Sequence, residues 1–376
     1  MKIILINGLN AKTGGGKSIL NNYLNCLHKN NCENLYLVLT PDKRDYLKYQ
    51  NQFINIIDIN KYFKKNVLLP ITYGYLLNKL IVKYKITTIF NLADIPIATK
   101  EYQVLLFDWS YAVYPKSIVW KKMKFHDYFK RKFKLHFFKK YLKYVDIVIS
   151  QNKVMKARLV NLYSLKKVEI INNAVSVENL RGENNFNFNL PKGINLVYLT
   201  HYYPHKNIEI FIPLAQEIKR QGLNYNIITT IDESQDKAAK KFLRDIVKLN
   251  LQKIIINVGA VKMDYVPSLY IQCDGLLMPT LLESFSGTYV EAMYHGIPIF
   301  TSDLDFAKVV CGKAAKYFNP FDVADIILQL NSVYTNDNEK ITLKKEAIAK
   351  LSNFSTWEEA YIQYQNVILK NIKFNE

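Results

Sequence analysis

The chain is poor in the residues that staple a fold, cross a membrane or hold a metal. It has four cysteines in 376 residues, Cys26, Cys32, Cys273 and Cys311. None stand at metal-ligand spacing, and Cys26 and Cys32 are too far apart for a C-x-x-C, so the reading is reduced, unpaired thiols. No apolar run reaches ~18 residues, so no membrane span is expected. The apolar start, Lys2–Ile6, is too short for a signal peptide and reads as a first strand. No short-period repeat is present.

Acidic residues are scarce in one half only. Residues 1–188 carry 31 Lys+Arg against 12 Asp+Glu, and residues 189–376 carry 20 of each. The whole formal excess of +19 therefore lies in the first half. Such asymmetry points to an anionic partner for one part of the chain: a membrane, a nucleic acid or an acidic substrate.

The length fits two α/β domains better than one. Short apolar runs alternate with helical patterns twice. The first series has strands at Lys2–Asn7, Leu35–Thr40, Phe53–Ile59, Thr87–Leu92, Val104–Phe107, Val145–Ser150 and Val168–Asn172. The polar, Asn-rich run Ser176–Lys192 reads as a linker. Alternation then restarts with strands at Ile194–Thr200, Tyr225–Ile231, Ile254–Val261, Gly275–Met278, Ile297–Phe300 and Ala315–Phe318. Helices follow at Phe321–Tyr334, Asn338–Leu351 and Trp357–Ile372. Two such series predict two similar parallel-sheet halves.

The most informative stretch is Leu277–Asp303, LMPTLLESFSGTYVEAMYHGIPIFTSD. It reads as strand, loop, helix, strand, with Gly296 and Pro298 stopping the helix. Ligands of parallel sheets bind at loops leaving the carboxyl ends of strands. Glu283 lies in that loop, and Glu291 about two turns on at ~3.6 residues per turn. Between them the free N–H groups of Phe285, Ser286, Gly287 and Thr288 gather at a helix start and favour an anion. Carboxylates flanking an anion site suit a nucleotide-diphosphate sugar, with hydroxyls at both ends and negative charge between. Spacing alone also allows two surface glutamates and a serine-capped helix.

E-S-F-S-G-T-Y-V-E-A-M…G-I-P resembles the E-x7-E motif of family 4 glycosyltransferases. The resemblance covers the second half well and the first loosely. It implies an α/β fold of two Rossmann-like domains facing a cleft (GT-B), retaining chemistry, and no metal or resident cofactor. The implied roles place Glu283 on the transferred sugar, Glu291 on the nucleotide ribose, and Phe285, Ser286, Gly287 and Thr288 on sugar and diphosphate. Many members carry glycine where Ser284 and Ser286 stand. After the first strand of the second half comes T-H-Y-Y-P-H-K-N, where Lys206 matches the family's phosphate-binding lysine. The usual arginine is absent, and His201 or His205 stands near. Asn172-Asn173-Ala174-Val175 resembles the entry to the interdomain hinge. Ser355-Thr356-Trp357-Glu358 resembles the start of a terminal helix returning to the first domain.

The first half adds three features. Gly14, Gly15 and Gly16 form a Gly-rich first loop, matching the family's Gly-Gly segment beside the donor diphosphate. Ala11–Ser18 also satisfies a loose P-loop pattern, A-x4-G-K-S, although a strict P-loop has glycine at the first position. Asp108 ends a strand, where it either orients an acceptor hydroxyl or caps the next segment. Lys116–Tyr144 reads as one long basic and aromatic helical stretch, with eleven Lys+Arg, one acid, and Phe125, Phe129, Phe133, Phe137 and Tyr141 every fourth residue. It is either a core-facing stripe on a solvated helix or a helix on an anionic membrane, with Lys121, Lys122, Lys130, Arg131 and Lys132 as its basic contacts.

The resulting expectation is a retaining glycosyltransferase with domains at 1–175 and 193–355, a linker at 176–192 and a returning helix at 356–376. Glu283, Lys206 and Asp108 are its catalytic candidates. Its expected partners are a nucleotide sugar, a glycan or lipid-linked acceptor, and an anionic membrane surface, with no nucleic acid. The expected location is the inner face of the cell membrane, on the cytoplasmic side. A sugar-nucleotide epimerase of the same fold, a P-loop NTPase and a basic membrane or RNA adaptor stay open from sequence.

Overall fold

The structure, a computed structural model, describes residues 2–12, 14–30, 33–174, 180 and 186–370. Most of the expected hinge and linker, 175–179 and 181–185, lies outside the described residues, as do Cys32 and the chain end from 371. The chain divides into two compact units. One comprises Met1–Pro115, Met123–Ala174 and Ser355–Glu376, the other Lys116–Lys122 and Val175–Phe354.

The first unit is built on seven parallel strands: β1 (Ile3–Asn7), β2 (Leu35–Leu39), β3 (Ile54–Ile57), β4 (Thr88–Asn91), β5 (Tyr102–Phe107), β6 (Ile147–Ser150) and β7 (Val168–Ile170). Their order across the sheet is β3-β2-β1-β4-β5-β6-β7. The central strands are apolar on both faces, as a sheet covered by helices on both sides requires. The helix Gly14–Lys29 buries Ile19, Leu20, Tyr23, Leu24 and Leu27, one stripe at helical spacing. Gly8 brings β1 into that helix tightly: a Cβ there would lie 2.6 Å from Leu20 Cδ2 and 3.0 Å from the Leu39 carbonyl.

The second unit repeats the plan with six parallel strands. These are β8 (Ile194–Tyr198), β9 (Tyr225–Thr229), β10 (Ile255–Asn257), β11 (Gly275–Met278), β12 (Ile299–Ser302) and β13 (Ala315–Phe318), in the order β10-β9-β8-β11-β12-β13. β10 is shorter than the apolar run Ile254–Val261 suggested. In both sheets the order reverses beside the first strand. The two switch points therefore lie between β1 and β4 and between β8 and β11, where loops diverge and leave room for a ligand.

The long basic stretch is not one helix. A short turn, Val119–Lys122, belongs to the second unit, and a separate helix, Phe125–Tyr141, to the first. Lys122 Nζ donates to Asn207 Oδ1 at 2.6 Å and lies over the Phe321 ring. Lys121 and Lys122 thus do not share a surface helix with Lys130, Arg131 and Lys132. The aromatic stripe divides too: Phe125, Phe129 and Phe133 are exposed, while Phe137 and Tyr141 are buried. Among the described residues no helix is long and apolar enough to cross a membrane.

The last helix, Trp357–Ile368, starts with a capping box in which Thr356 and Glu359 satisfy each other's backbone N–H groups. It packs into the first unit's core. Tyr364 is fully buried against Phe90 and Tyr23, with ring centroids 5.6 and 6.4 Å away. Gln365 Nε2 donates to the Tyr23 hydroxyl at 3.0 Å, and the Tyr102 hydroxyl to the Val367 carbonyl at 3.0 Å. Among the described residues the buried Tyr364 hydroxyl has no hydrogen-bond partner. Tyr364→Ala should therefore lower unfolding free energy by about 3–5 kcal/mol. Tyr364→Phe, which only removes a desolvated hydroxyl, should be neutral or mildly stabilising. Urea unfolding of both variants checks the pair.

Candidate active site

The second unit's switch point brings two sequence-distant loops together. After β8 the chain makes a turn, Pro204–Lys206, and then takes Asn207 through the left-handed region at φ +54. Asn207 tolerates this because its side chain is anchored, with Nδ2 donating to the Pro320 carbonyl at 2.8 Å. After β11 the chain runs through Thr280 to Glu283. The two loops are tied by backbone: the Leu281 N–H donates to the His205 carbonyl at 2.7 Å, with Thr280 Oγ1 lying 3.2 Å from the same carbonyl.

Across this tie Lys206 Nζ donates to Glu283 Oε1 at 2.6 Å. The two side chains are only 14% and 12% exposed. Thr280 Oγ1 gives the same carboxylate oxygen a second hydrogen bond at 3.0 Å. The Tyr198 hydroxyl donates to the Lys206 carbonyl at 3.4 Å, and burial beside Glu283 holds its phenol well above the ordinary range. Lys206 and Glu283, named separately from sequence, are thus one charged pair at the carboxyl end of the sheet.

The helix Gly287–Tyr294 begins right after Ser286, and among the described residues the Ser286 side chain does not cap its first turn. Its leading amides therefore stay available to an acceptor other than a cap. Ser284 and Ser286 are buried, and the Phe285 ring meets Phe354 edge-on at 6.1 Å. Glu291 sits further along the helix. Tyr270 donates its hydroxyl proton to Glu291 Oε2 at 2.9 Å, while burial pushes the Glu291 carboxyl upward. Tyr270 was not foreseen. Only an aromatic at the end of the preceding helix marked it.

The two histidines take separate roles. His201 Nδ1 pairs with Gln235 Nε2 at 2.7 Å. The His205 ring stacks on Tyr203 at 5.5 Å, and its carbonyl carries the tie between the loops. Neither contact supplies the fork of donors that an arginine would.

In the first unit Gly14–Gly16, expected as a loop, form the first turn of the helix Gly14–Lys29 instead, and Gly16 comes near Asp108, which follows β5. A Cβ on Gly16 would lie 4.0 Å from Asp108 Oδ2, whereas no described atom lies within 4 Å of one on Gly14 or Gly15. Gly14 has φ +57, which favours glycine. Burial and a hydrogen bond with the neighbouring Asp94 carboxylate hold Asp108 well above the ordinary carboxylate range. Asp94 is ion-paired with Lys134 and accepts from Asn10 Nδ2 at 3.3 Å. Asp94, Lys134 and Asn10 had no motif to announce them. Lys17, the P-loop candidate, pairs instead with Asp45 at 3.1 Å on the surface. Asp303 and Asp305, in Asp-x-Asp spacing after β12, are spoken for by Lys308 and by the Phe306 amide. Among the described residues no group of three or more His, Cys, Asp or Glu side chains is placed to hold a metal ion.

The stretch holding Lys206, Glu283 and Glu291 falls inside a match, over residues 181–350, to the family described as glycosyl transferases group 1. Over those 170 residues the chain is similar to that family. A curated relative, the O-antigen chain mannosyltransferase RfbU of Salmonella typhimurium, is 27% identical over 178 residues, 46% of this chain and 47% of that protein. The match thus spans about half the length of that relative. Sucrose-phosphate synthase from Thermosynechococcus elongatus superposes with a TM-score of 0.77 at 14% identity over 100% of both chains. Alr3699/HepE of Anabaena, solved in complex with UDP-glucose, superposes at 0.69 and 13% over 100% of both. At such identities the likeness shows the fold, which is GT-B: two Rossmann-like units in one chain.

Removing one partner of the Lys206–Glu283 pair leaves an enclosed charge without its counterion. Lys206→Met should lower the stability of the ligand-free protein by about 3 kcal/mol. The double variant Lys206→Met/Glu283→Gln should recover much of that loss, since no charge is then stranded. A denaturation cycle over the four proteins measures the coupling.

Proposed function

We propose that the chain is a retaining glycosyltransferase that moves a sugar from a nucleotide-diphosphate sugar to a glycan or lipid-linked acceptor in polysaccharide synthesis. The observation that carries this reading is the Lys206–Glu283 pair at the β8/β11 switch point, with uncapped helix amides beside it and Glu291 on the same helix. In the ligand-free site the two charges satisfy each other. A donor offers each a better partner: the diphosphate takes Lys206, and a sugar hydroxyl takes Glu283. Glu291 holds the ribose.

Lys206 and the amides at Gly287 and Thr288 then meet charge that grows as the bond to the diphosphate breaks. This is where a preorganised donor lowers a barrier. The acceptor attacks the face the diphosphate leaves, and a donor phosphate oxygen takes its proton. This assigns charge stabilisation to side chain and backbone, without a metal or a resident cofactor. In the first unit, Asp108 orients the acceptor hydroxyl.

The test is release of nucleoside diphosphate from UDP- and GDP-sugars by the purified chain with a glycan acceptor. Lys206→Ala should reduce turnover at least ~100-fold, the scale for loss of a donor to developing charge. Lys17→Ala should change it little. If the wild type instead hydrolyses ATP and Lys17→Ala abolishes that, the glycosyltransferase reading fails.

We also propose that the first unit docks on an anionic membrane surface from the cytoplasmic side through the helix Phe125–Tyr141. Phe125, Phe129 and Phe133 are 80%, 53% and 40% exposed. They lie four residues apart on a helix that also carries Lys130, Arg131 and Lys132. Each basic residue near such a surface contributes about 1 kcal/mol, less as salt rises, while inserted rings add a part that salt does not screen. Co-sedimentation with acidic vesicles should weaken but persist at high salt. Phe125→Ser/Phe129→Ser/Phe133→Ser should remove the salt-resistant part and leave nucleotide binding intact. A wild type that stays in the supernatant at low salt refutes the docking.

A further inference from the structure

Behind Glu291 stands a group of side chains that the proposed chemistry does not use. Tyr270 is fully buried in the helix Val266–Ile271. Its ring lies parallel to that of His295, with centroids 5.2 Å apart and 10° between planes. Among the described residues His295 Nε2 is buried without a hydrogen-bond partner, and burial lowers the imidazole's pKa from its ordinary value. The hydroxyl of Tyr270 is aimed away from this stack, at Glu291 Oε2.

The two carboxylate oxygens are therefore not equivalent. Oε2 is committed to Tyr270. Oε1 lies on the side of Gly287, where a Cβ would sit 3.6 Å from it, at the first residue of the helix whose amides await the diphosphate. A carboxylate on a side chain with several rotatable bonds loses conformational freedom when it binds a diol, and a fixed hydrogen bond on one oxygen removes that loss beforehand. A rigid ring clamped by a parallel neighbour is suited to supply it.

We infer that Tyr270, held by its stack on His295, is a positioning residue that fixes Glu291 so that Oε1 faces the ribose hydroxyls of a nucleoside diphosphate. This rests on the assignment of Glu291 to the ribose. Tyr270 does not touch the nucleotide. Its contribution is selectivity for a ribose that carries its hydroxyls, over and above general affinity.

The experiment is calorimetric titration of UDP and GDP, and of their 2′,3′-dideoxy counterparts, into the wild type, Tyr270→Phe, Glu291→Ala and the double variant. Tyr270→Phe keeps the ring and the stack, and thermal unfolding of the ligand-free variant reports its folding. The wild type should prefer the ribonucleotide, and Glu291→Ala should lose that preference. Tyr270→Phe should reduce it about tenfold, the scale of one hydrogen bond to a charged group. In the Glu291→Ala background the same change should leave the ratio alone. If Tyr270→Phe weakens both nucleotides by one common factor, or leaves the ratio at the wild-type value, Tyr270 is a packing residue and the inference is overturned while the ribose assignment stands. If the wild type and Glu291→Ala both bind the two nucleotides alike, the ribose assignment itself falls, and the role of Tyr270 with it.

Discussion

The second unit depends on an ion pair held almost out of water. Lys206 and Glu283 meet at 2.6 Å with side chains 14% and 12% exposed. Desolvating two charges is unfavourable, and their attraction offsets it only where geometry is good and further hydrogen bonds serve the remaining lone pairs. Thr280 supplies one such bond, and the His205 carbonyl fixes Leu281 through its backbone N–H. The turn after β8 and the loop after β11 therefore brace one another.

Each unit places its polar groups by the same topological means. A parallel sheet whose order reverses beside its first strand sends neighbouring loops in opposite directions and leaves open the space between them. In the second unit this space receives Lys206 and Glu283. In the first it receives the helix start at Gly14–Gly16, Asp94 and Asp108. The chemistry differs because the side chains differ: one switch point holds a matched pair of opposite charges, the other two carboxyl groups that share a hydrogen bond, with Lys134 on one of them.

The basic stretch shows how a strong periodic pattern misleads. Aromatics every fourth residue from Phe125 to Tyr141 do form a helix, but a fourfold spacing drifts around a helix of ~3.6 residues per turn. The drift carries the stripe from solvent at Phe125 into the core at Tyr141. The helix also stops short of Lys122, since the turn Val119–Lys122 buries Val119 and Trp120 with the second unit. Local composition does not register that the two basic clusters belong to different units.

By itself the sequence determined the strands, because apolar runs bounded by Gly, Asn and Pro have few other places to go, and it determined that there would be two sheets. It also marked Glu283, Glu291, Lys206, Asp108 and the glycines Gly14–Gly16, since residue type and position after a strand are local properties; that these glycines open a helix was not legible. Only tertiary structure decided which of these meet. Strand order joins loops that lie 77 residues apart, as with Lys206 and Glu283. Packing alone brought Tyr270 to Glu291, Asp94 to Asp108 and the His205 carbonyl to the Glu283 loop. Those partners carry no motif, because what selects them is the distance across a folded sheet and the need of each buried polar group for a hydrogen bond.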